Sequence, residues 1–275
     1  MFRFIKNYLS LLLVFSVWPI FAQKTDTIKV WSNDAHKNEA EIYVYHPKHT
    51  TKTTAAILIC PGGGYRGLAI DREGYNMAKW YASNGILGVV LKYRMPKGHH
   101  EVPLSDAAKA MSIIRENAEK WHIDINRIGI IGSSAGGHLA ASVCTLLPAQ
   151  ERPNFAILYY PVISFDDKIA HKGSKQNLLG EKVTDSQLVE RYTLNKQVDR
   201  NTPRTLLLLS ADDKVVPPMN SILYYESLNQ NGIPASMYMF PLGGHGWGIK
   251  YDFAYYQEVK DLIMKWLIHN QIIRK

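Results

Sequence analysis

Arg127-Ile128-Gly129-Ile130-Ile131-Gly132 runs directly into Ser133-Ser134-Ala135-Gly136-Gly137-His138-Leu139. The first half is apolar and β-branched and reads as a buried strand; the second, continued to Val143, is compatible with a helix. Between them, Gly132 to Gly136 satisfies G-x-S-x-G in one frame only. Ser134 is its centre, because a frame on Ser133 would have Ile131 and Ala135 at the glycine positions. A serine held on so tight a strand-to-helix turn has strained dihedrals. Side chains two residues to either side would collide with each other or with neighbouring strands, and glycine removes them. The turn lifts the Ser134 hydroxyl clear of the sheet. Behind it, the helix N-terminus offers amide donors and a positive dipole end to an oxyanion.

Outward from this turn the chain alternates strand-like and helix-like segments. Strands are expected near 28–31, 41–45, 55–60, 86–91, 127–132, 154–159, 205–210 and 235–240. Helices are expected near 73–83, 219–229 and 253–269, and Ala107, Ala110, Met111, Ile114, Ala118 and Trp121 recur at spacings of three and four as one apolar helical stripe. Helix followed by a buried strand is the βαβ signature, so the fold class is α/β, a mainly parallel central sheet with helices on both faces. One stretch breaks the alternation. From about 163 to 203 no buried run occurs, polarity is high, and only 186–192 reads as helical. We read this as a lid inserted over a site, with a passive surface excursion as the alternative.

The first twenty-two residues stand apart. Arg3 and Lys6 precede an uncharged apolar run over 8–21, which is closed by Ala22. This is the layout of a secretory leader cleaved after Ala22, and the run is short of the roughly 20 residues a membrane-spanning helix needs. The reading gives a secreted or periplasmic protein with one catalytic domain over 23–275 and no membrane attachment after cleavage. Gln23, not Cys, would begin it, so no lipid-anchoring cysteine follows. Losing Arg3 and Lys6 takes the formal net charge from +8 to +6. With no long run of Lys or Arg, nucleic acid is not an expected partner. Hydrophobic residues at 46% and charged residues at 20% argue against disorder and coiled coil. The 2 cysteines, Cys60 and Cys144, are too few for a disulfide framework and are expected as buried free thiols.

A serine hydroxyl is a poor nucleophile unless a base and an orienting acid attend it. Two carboxylates, Asp212 and Asp213, stand at the carboxyl end of the strand 205–210. His245, set in Gly243-Gly244-His245-Gly246-Trp247-Gly248, follows the strand after that. The surrounding glycines let this loop fold back toward Ser134. His138, four residues after the serine, would sit below it along the helix axis and reads as a packing residue. An oxyanion hole is expected from Cys60-Pro61-Gly62-Gly63-Gly64-Tyr65, with the amides of Gly63, Gly64 and Ala135 as donors. Tyr65 and Trp247 flank the expected site and are candidates to bind substrate by stacking on sugar rings; packing aromatics are the alternative.

Gly62, Gly64 and Gly67 also spell G-x-G-x-x-G after a strand, so an NAD-dependent oxidoreductase is the alternative from another class. Against it, the following strand ends at Leu91-Lys92-Tyr93 without a carboxylate for the ribose, and 66–71 does not open as an apolar helix. His99-His100-Glu101 lacks spaced partners and reads as an exposed polar loop, not a metal site. No metal or organic cofactor is called for.

Taken together, Pro61 to Tyr65, the Tyr93-Arg94 pair, Asp106, Gly132 to His138, Asn177 to Gly180, Asp213 to Pro217 and Gly244-His245-Gly246 resemble the secreted bacterial carbohydrate esterases of the α/β-hydrolase superfamily. These are acetyl xylan esterases and feruloyl esterases, often labelled xylanase-like. The resemblance implies an α/β-hydrolase fold and Ser134 as nucleophile. It also implies His245 as base and then acid, and Asp213 as the residue that orients it. Asp213 is preferred to Asp212 because the family pattern has an Asp three residues before Val-Pro, here Val216-Pro217. Pro61 stands where many relatives have His, and Ser210 where they have Gly. The implied substrate is an acylated plant polysaccharide such as xylan, deacetylated by a serine carboxylesterase. A feruloyl esterase or another small-ester or amide serine hydrolase is the alternative within the same chemistry.

Overall fold

The computed structural model describes residues 25–31, 39–48 and 53–273. The expected leader over 1–22 and its cleavage point lie outside the described residues. Eight strands make one sheet: β1 (Thr25–Lys29), β2 (Glu41–Tyr45), β3 (Thr54–Cys60), β4 (Leu87–Lys92), β5 (Ile123–Ser133), β6 (Phe155–Tyr159), β7 (Arg204–Ser210) and β8 (Ala235–Phe240). Their spatial order is β1-β2-β4-β3-β5-β6-β7-β8. The pairs β1–β2 and β2–β4 are antiparallel, and every pairing from β4 across to β8 is parallel. The helices are α1 (Asn76–Ser83), α2 (Glu101–Glu116), α3 (Ala135–Leu146), α4 (Lys172–Leu179), α5 (Ser186–Arg191), α6 (Met219–Gln230) and α7 (Tyr256–His269). Among the described residues no helix is long and apolar enough to cross a membrane.

The β3 sequence shows why the sheet sits in the middle. All its residues are buried. Ala56, Leu58 and Cys60 pack with the inward residues of α2, α3 and α6, while Ala55, Ile57 and Ile59 pack with those of α1 and α7. A strand covered on both faces has no position at which a polar residue would be solvated, so it reads as an unbroken apolar run. Cys60 and Cys144 are both buried and unbridged, and burial raises both thiol pKa values far above the ordinary range.

Three local expectations differ from the observed elements. The stripe through Ala118 and Trp121 outruns its helix: α2 stops at Glu116, where Asn117 turns its side-chain amide back onto the Ile113 carbonyl. Ala118 and Trp121 are buried from the turn that follows. The helix expected over 73–83 begins as a π-helical turn, Asp71–Tyr75, before α1. The wider turn carries Glu73 into the interior, at 2% exposure, and brings Gly74 against Val90 and Pro61. The insertion over 163–203 holds α4 as well as α5. Its buried apolar residues come singly or as one adjacent pair, and Ile163, Phe165, Leu178, Leu179, Tyr192 and Leu194 all join the core cluster that covers α3. Anchors so short and so far apart form no contiguous apolar run in the sequence.

Helix α1 lies so close to β4 that a Cβ on Gly88 would come within 2.9 Å of the Ala78 backbone. Gly88→Val should therefore cost about 1–3 kcal/mol of stability through overpacking. Urea unfolding measures this, and an unchanged midpoint would mean that α1 can step away from the sheet freely.

Candidate active site

At the end of β5 the chain turns into α3 through Ser134, whose φ of 55° and ψ of −120° are strained for a residue with a side chain. Three hydrogen bonds hold it there. Its amide donates to the Tyr159 carbonyl at 3.0 Å, and its carbonyl accepts from Val162 at 3.0 Å and from His138 at 3.1 Å. The flanking glycines are sterically obligatory. A Cβ on Gly132 would stand 2.1 Å from the Gly136 carbonyl oxygen, and one on Gly136 would stand 2.1 Å from that of Cys60. Strand β5, helix α3 and the end of β3 thus meet backbone to backbone under the serine.

Ser134 Oγ lies 2.8 Å from His245 Nε2, and His245 Nδ1 lies 2.7 Å from Asp213 Oδ2. Because a carboxylate only accepts, the imidazole proton sits on Nδ1 and Nε2 is left to accept from the serine hydroxyl. The other Asp213 oxygen accepts from the amides of Val215, at 2.8 Å, and Val216, at 3.0 Å. The carboxylate is therefore fixed before the histidine meets it. Asp212 has a separate role. Its exposed carboxylate accepts from the Gly243 amide at 3.3 Å and the Gly244 amide at 2.7 Å, and so steers the loop that carries His245. The two adjacent carboxylates thus part company: one meets the imidazole and the other its loop.

The glycine loop after β3 completes the floor of a cleft of about 440 Å³, into which Ser134, His245, Gly63 and Gly64 all open. The Gly62 carbonyl accepts from Ala69 at 2.8 Å, and the Gly63 carbonyl accepts from Arg66 at 3.1 Å and Gly67 at 3.2 Å. In a trans peptide the N–H points opposite the carbonyl, so pinning these two oxygens fixes the N–H groups of Gly63 and Gly64. Gly63 has φ +137°, and a Cβ there would meet the Gly67 carbonyl oxygen at 2.1 Å, so no other residue closes this turn. Among the described residues, no protein acceptor takes the amides of Gly63, Gly64 or Ala135. The first helical turn after Gly67 begins only at Ile70, and the Gly62 amide is already bonded to Glu73. The loop thus lacks the glycine-to-helix junction that cradles a pyrophosphate.

Two aromatic candidates are corrected. Tyr65 is 2% exposed, its hydroxyl 3.0 Å from His138 Nδ1. Trp247 is 3% exposed, donates from Nε1 to Ser210 Oγ at 2.9 Å and stacks on Phe253 with ring centroids 4.3 Å apart. Both are packing residues that face no cleft, because each ring satisfies its polar atom inside the protein. Ser210, one of the departures from the family pattern, is the acceptor that Trp247 requires.

Several further groups shape the site, and of these Glu73 and His171 gave no signal in the sequence. Glu73 accepts from the Gly62 amide at 2.9 Å and from the Tyr160 hydroxyl at 2.9 Å, and the Gly248 amide donates to that hydroxyl at 2.7 Å. The glycine loop and the His245 loop are thereby tied through one buried carboxylate. A Glu in an amphipathic stretch reads as surface, so only the π-helical turn reveals it. His138 is fully buried. It stacks on Phe165 at 4.6 Å, and its Nε2 bonds the Tyr192 carbonyl at 3.0 Å, which fastens the insertion to α3. From the insertion, Asn177 Nδ2 donates to the Gly64 carbonyl at 2.8 Å, and His171 lines the cleft. His171 Nδ1 accepts from the Ser174 amide at 3.2 Å, so its proton is on Nε2. Burial, then the nearby His245, holds its pKa below the usual histidine value. The insertion therefore does form one wall of the site.

Burial also pushes the His138 pKa down from 6.5 to about 4. The folded protein keeps this ring neutral while the unfolded chain takes up a proton below pH 6.5, so stability falls as pH is lowered from about 6.5 to 4. The slope from this group reaches about 1.4 kcal/mol per pH unit. Denaturant unfolding across that window should show a flatter slope in His138→Asn. A Tyr160→Phe substitution should cost about 1–3 kcal/mol, because it strands the Gly248 amide and one Glu73 oxygen; the same unfolding measurement reads it.

A model of the BD-FAE family matches residues 42–228. The chain is 38% identical over 215 residues to an acetylxylan esterase of Xylanibacter ruminicola, covering 77% of this chain and 45% of the relative. It is 32% identical over 244 residues to endo-1,4-beta-xylanase B of Butyrivibrio fibrisolvens, covering 81% of this chain and 38% of the relative. The chain thus spans less than half the length of these curated relatives. Among solved structures, an acetyl ester-xyloside bifunctional hydrolase from Caldicellulosiruptor lactoaceticus superposes with a TM-score of 0.85 at 34% identity. It covers 92% of this chain and 99% of that one.

Proposed function

The chain belongs to the BD-FAE family of α/β hydrolases, and from that premise we propose that it is a serine carboxylesterase that removes acetyl groups from a plant polysaccharide such as xylan. The observation that carries this reading is the unbroken hydrogen-bonded chain from Ser134 through His245 to Asp213 at the floor of an open cleft. His245 Nε2 takes the Ser134 proton as Oγ attacks the ester carbonyl, while Asp213 steadies the imidazolium that forms. The negative charge that develops on the carbonyl oxygen meets the amides of Gly63, Gly64 and Ala135, whose directions are set before substrate arrives. His245 then returns the proton to the departing sugar oxygen, leaving an acetyl group on Ser134. Water, activated by the same imidazole, attacks the acyl-enzyme; acetate leaves and Ser134 regains its proton. No step in this sequence draws on a metal or an organic cofactor.

The acetylxylan esterase and acetyl ester-xyloside hydrolase relatives support this substrate, and the insertion that walls the cleft would offer a surface to a saccharide. The leader read over residues 1–22 supports export, which would bring the enzyme to its polymer outside the cytoplasm.

Acetate release from acetylated xylan tests the reading, with the protein beginning at Gln23 compared with its Ser134→Ala variant. Loss of the nucleophile should lower kcat by roughly 10⁴-fold or more, and serine-directed fluorophosphonate should label only the parent protein. Cleavage of a feruloylated xylan oligosaccharide without any acetate release would keep Ser134 and replace the acyl group. A folded protein that takes no label would overturn the hydrolase assignment.

A further inference from the structure

Arg66 and Arg72 both line the cleft over Ser134, and both are exposed. Five other arginines are engaged. Arg94 bonds Asp106, Arg127 bonds Asp124, Arg152 bonds Asp199, Arg204 bonds Asn270, and Arg115 bonds two backbone carbonyls. Among the described residues, neither the Arg66 nor the Arg72 guanidinium has a hydrogen-bond or ion-pair partner. The carboxylate nearest them in the cleft wall is Glu73, and its two oxygens already accept the Gly62 amide and the Tyr160 hydroxyl. Asp213 is closed off in the same way by His245 and two amides. His171 adds an N–H donor and no charge. Two positive charges thus face the cleft without an answering anion.

Their position says which part of a ligand they meet. Ser134 lies at the floor, 6% exposed, and the acyl group must reach it, whereas the guanidinium groups stand at the solvent-facing rim. What remains at the rim is the alcohol portion of the ester, the saccharide. The group that a guanidinium recognises best there is a planar carboxylate, which it binds through two parallel N–H donors.

We propose that Arg66 and Arg72 form a carboxylate subsite, and that the preferred substrate is an ester on a saccharide that carries a uronate close to the acylated sugar. The saccharide as substrate rests on the esterase reading above, but binding to the subsite does not require turnover. The test therefore uses ligands without an ester: a deacylated xylo-oligosaccharide bearing a uronate, and the same oligosaccharide with its carboxyl group reduced to an alcohol. Each is titrated calorimetrically into the otherwise unaltered protein at low ionic strength.

The acidic form should bind about five- to twentyfold more tightly than its reduced counterpart. This preference should shrink in high salt. It should fall to parity in an R66Q/R72Q variant and persist in R200Q, which removes an exposed charge outside the cleft. Equal affinity of the two forms, no measurable binding of either, or a preference that survives R66Q/R72Q overturns the subsite. Succinate, a carboxylate without a sugar, is the remaining arm. Tighter binding of succinate than of the acidic oligosaccharide would place the recognised charge on the acyl group and overturn the saccharide assignment. Because none of these ligands is hydrolysed, a failure of the esterase reading shows in the acetate assay and leaves this titration interpretable.

Discussion

The close crossing beneath Ser134 is the constraint on which the rest of the molecule depends. Gly132 and Gly136 leave no room for a side chain between the end of β5, the first turn of α3 and the carbonyl of Cys60. That contact forces the serine into positive φ, and the strain persists because the Tyr159 carbonyl and the Val162 and His138 amides each bind the Ser134 backbone. The same crossing sets the Ala135 amide at the head of α3 and brings the glycine loop after β3 alongside the serine. Ser134, the amides of Ala135, Gly63 and Gly64, and the sheet beneath them are therefore one packing problem with one solution, and a shift of β3 or β5 would move all of them.

A second layer of contacts prevents that shift. Glu73 and Tyr160 bind the glycine loop to the His245 loop, and Asp212 gathers the amides of Gly243 and Gly244. These groups act by fixing the loops that carry Gly63, Gly64 and His245, so that His245 meets Ser134 and Asp213 with both hydrogen bonds already short. In the mechanism proposed above, a base and donors held in place before the reaction have little reorganisation left to do during it, which is the physical content of preorganisation. His138 extends the arrangement to the insertion through Tyr192 and Phe165, and Asn177 returns from the insertion to the Gly64 carbonyl. The insertion is thus fastened both to α3 and to the glycine loop.

Much of this was legible in the chain. Unbroken apolar runs located the central strands because both faces of the sheet are covered, and three-to-four spacing located the helix that packs on it. The G-x-S-x-G frame located the turn because glycine is the only residue the crossing admits. What the spacing could not carry were contacts between residues far apart in sequence. Asp212 and Asp213 are chemically identical neighbours, and only the path of the chain after β7 turns one carboxylate toward His245 and the other toward its loop. Tyr65 and Trp247 occupy suitable places along the chain but turn inward, since Trp247 has Ser210 as acceptor and Phe253 as a stacking partner. The insertion showed one helix and no buried run because its apolar anchors are short and scattered, and scatter in sequence says nothing about convergence in space.

The sequence by itself determined the α/β class, the elbow at Ser134, the glycine loop opposite it and the histidine loop beyond β8. Each rests on a local rule of sterics or periodicity that a short window of residues satisfies alone. Tertiary structure alone decided the buried position of Glu73, the role of Asp212, the inward turn of both candidate aromatics, and the presence of His171, Arg66 and Arg72 around one cleft. These depend on which side chains find partners once the sheet has closed, and whether a polar group is paired or left open is a property of the packed molecule.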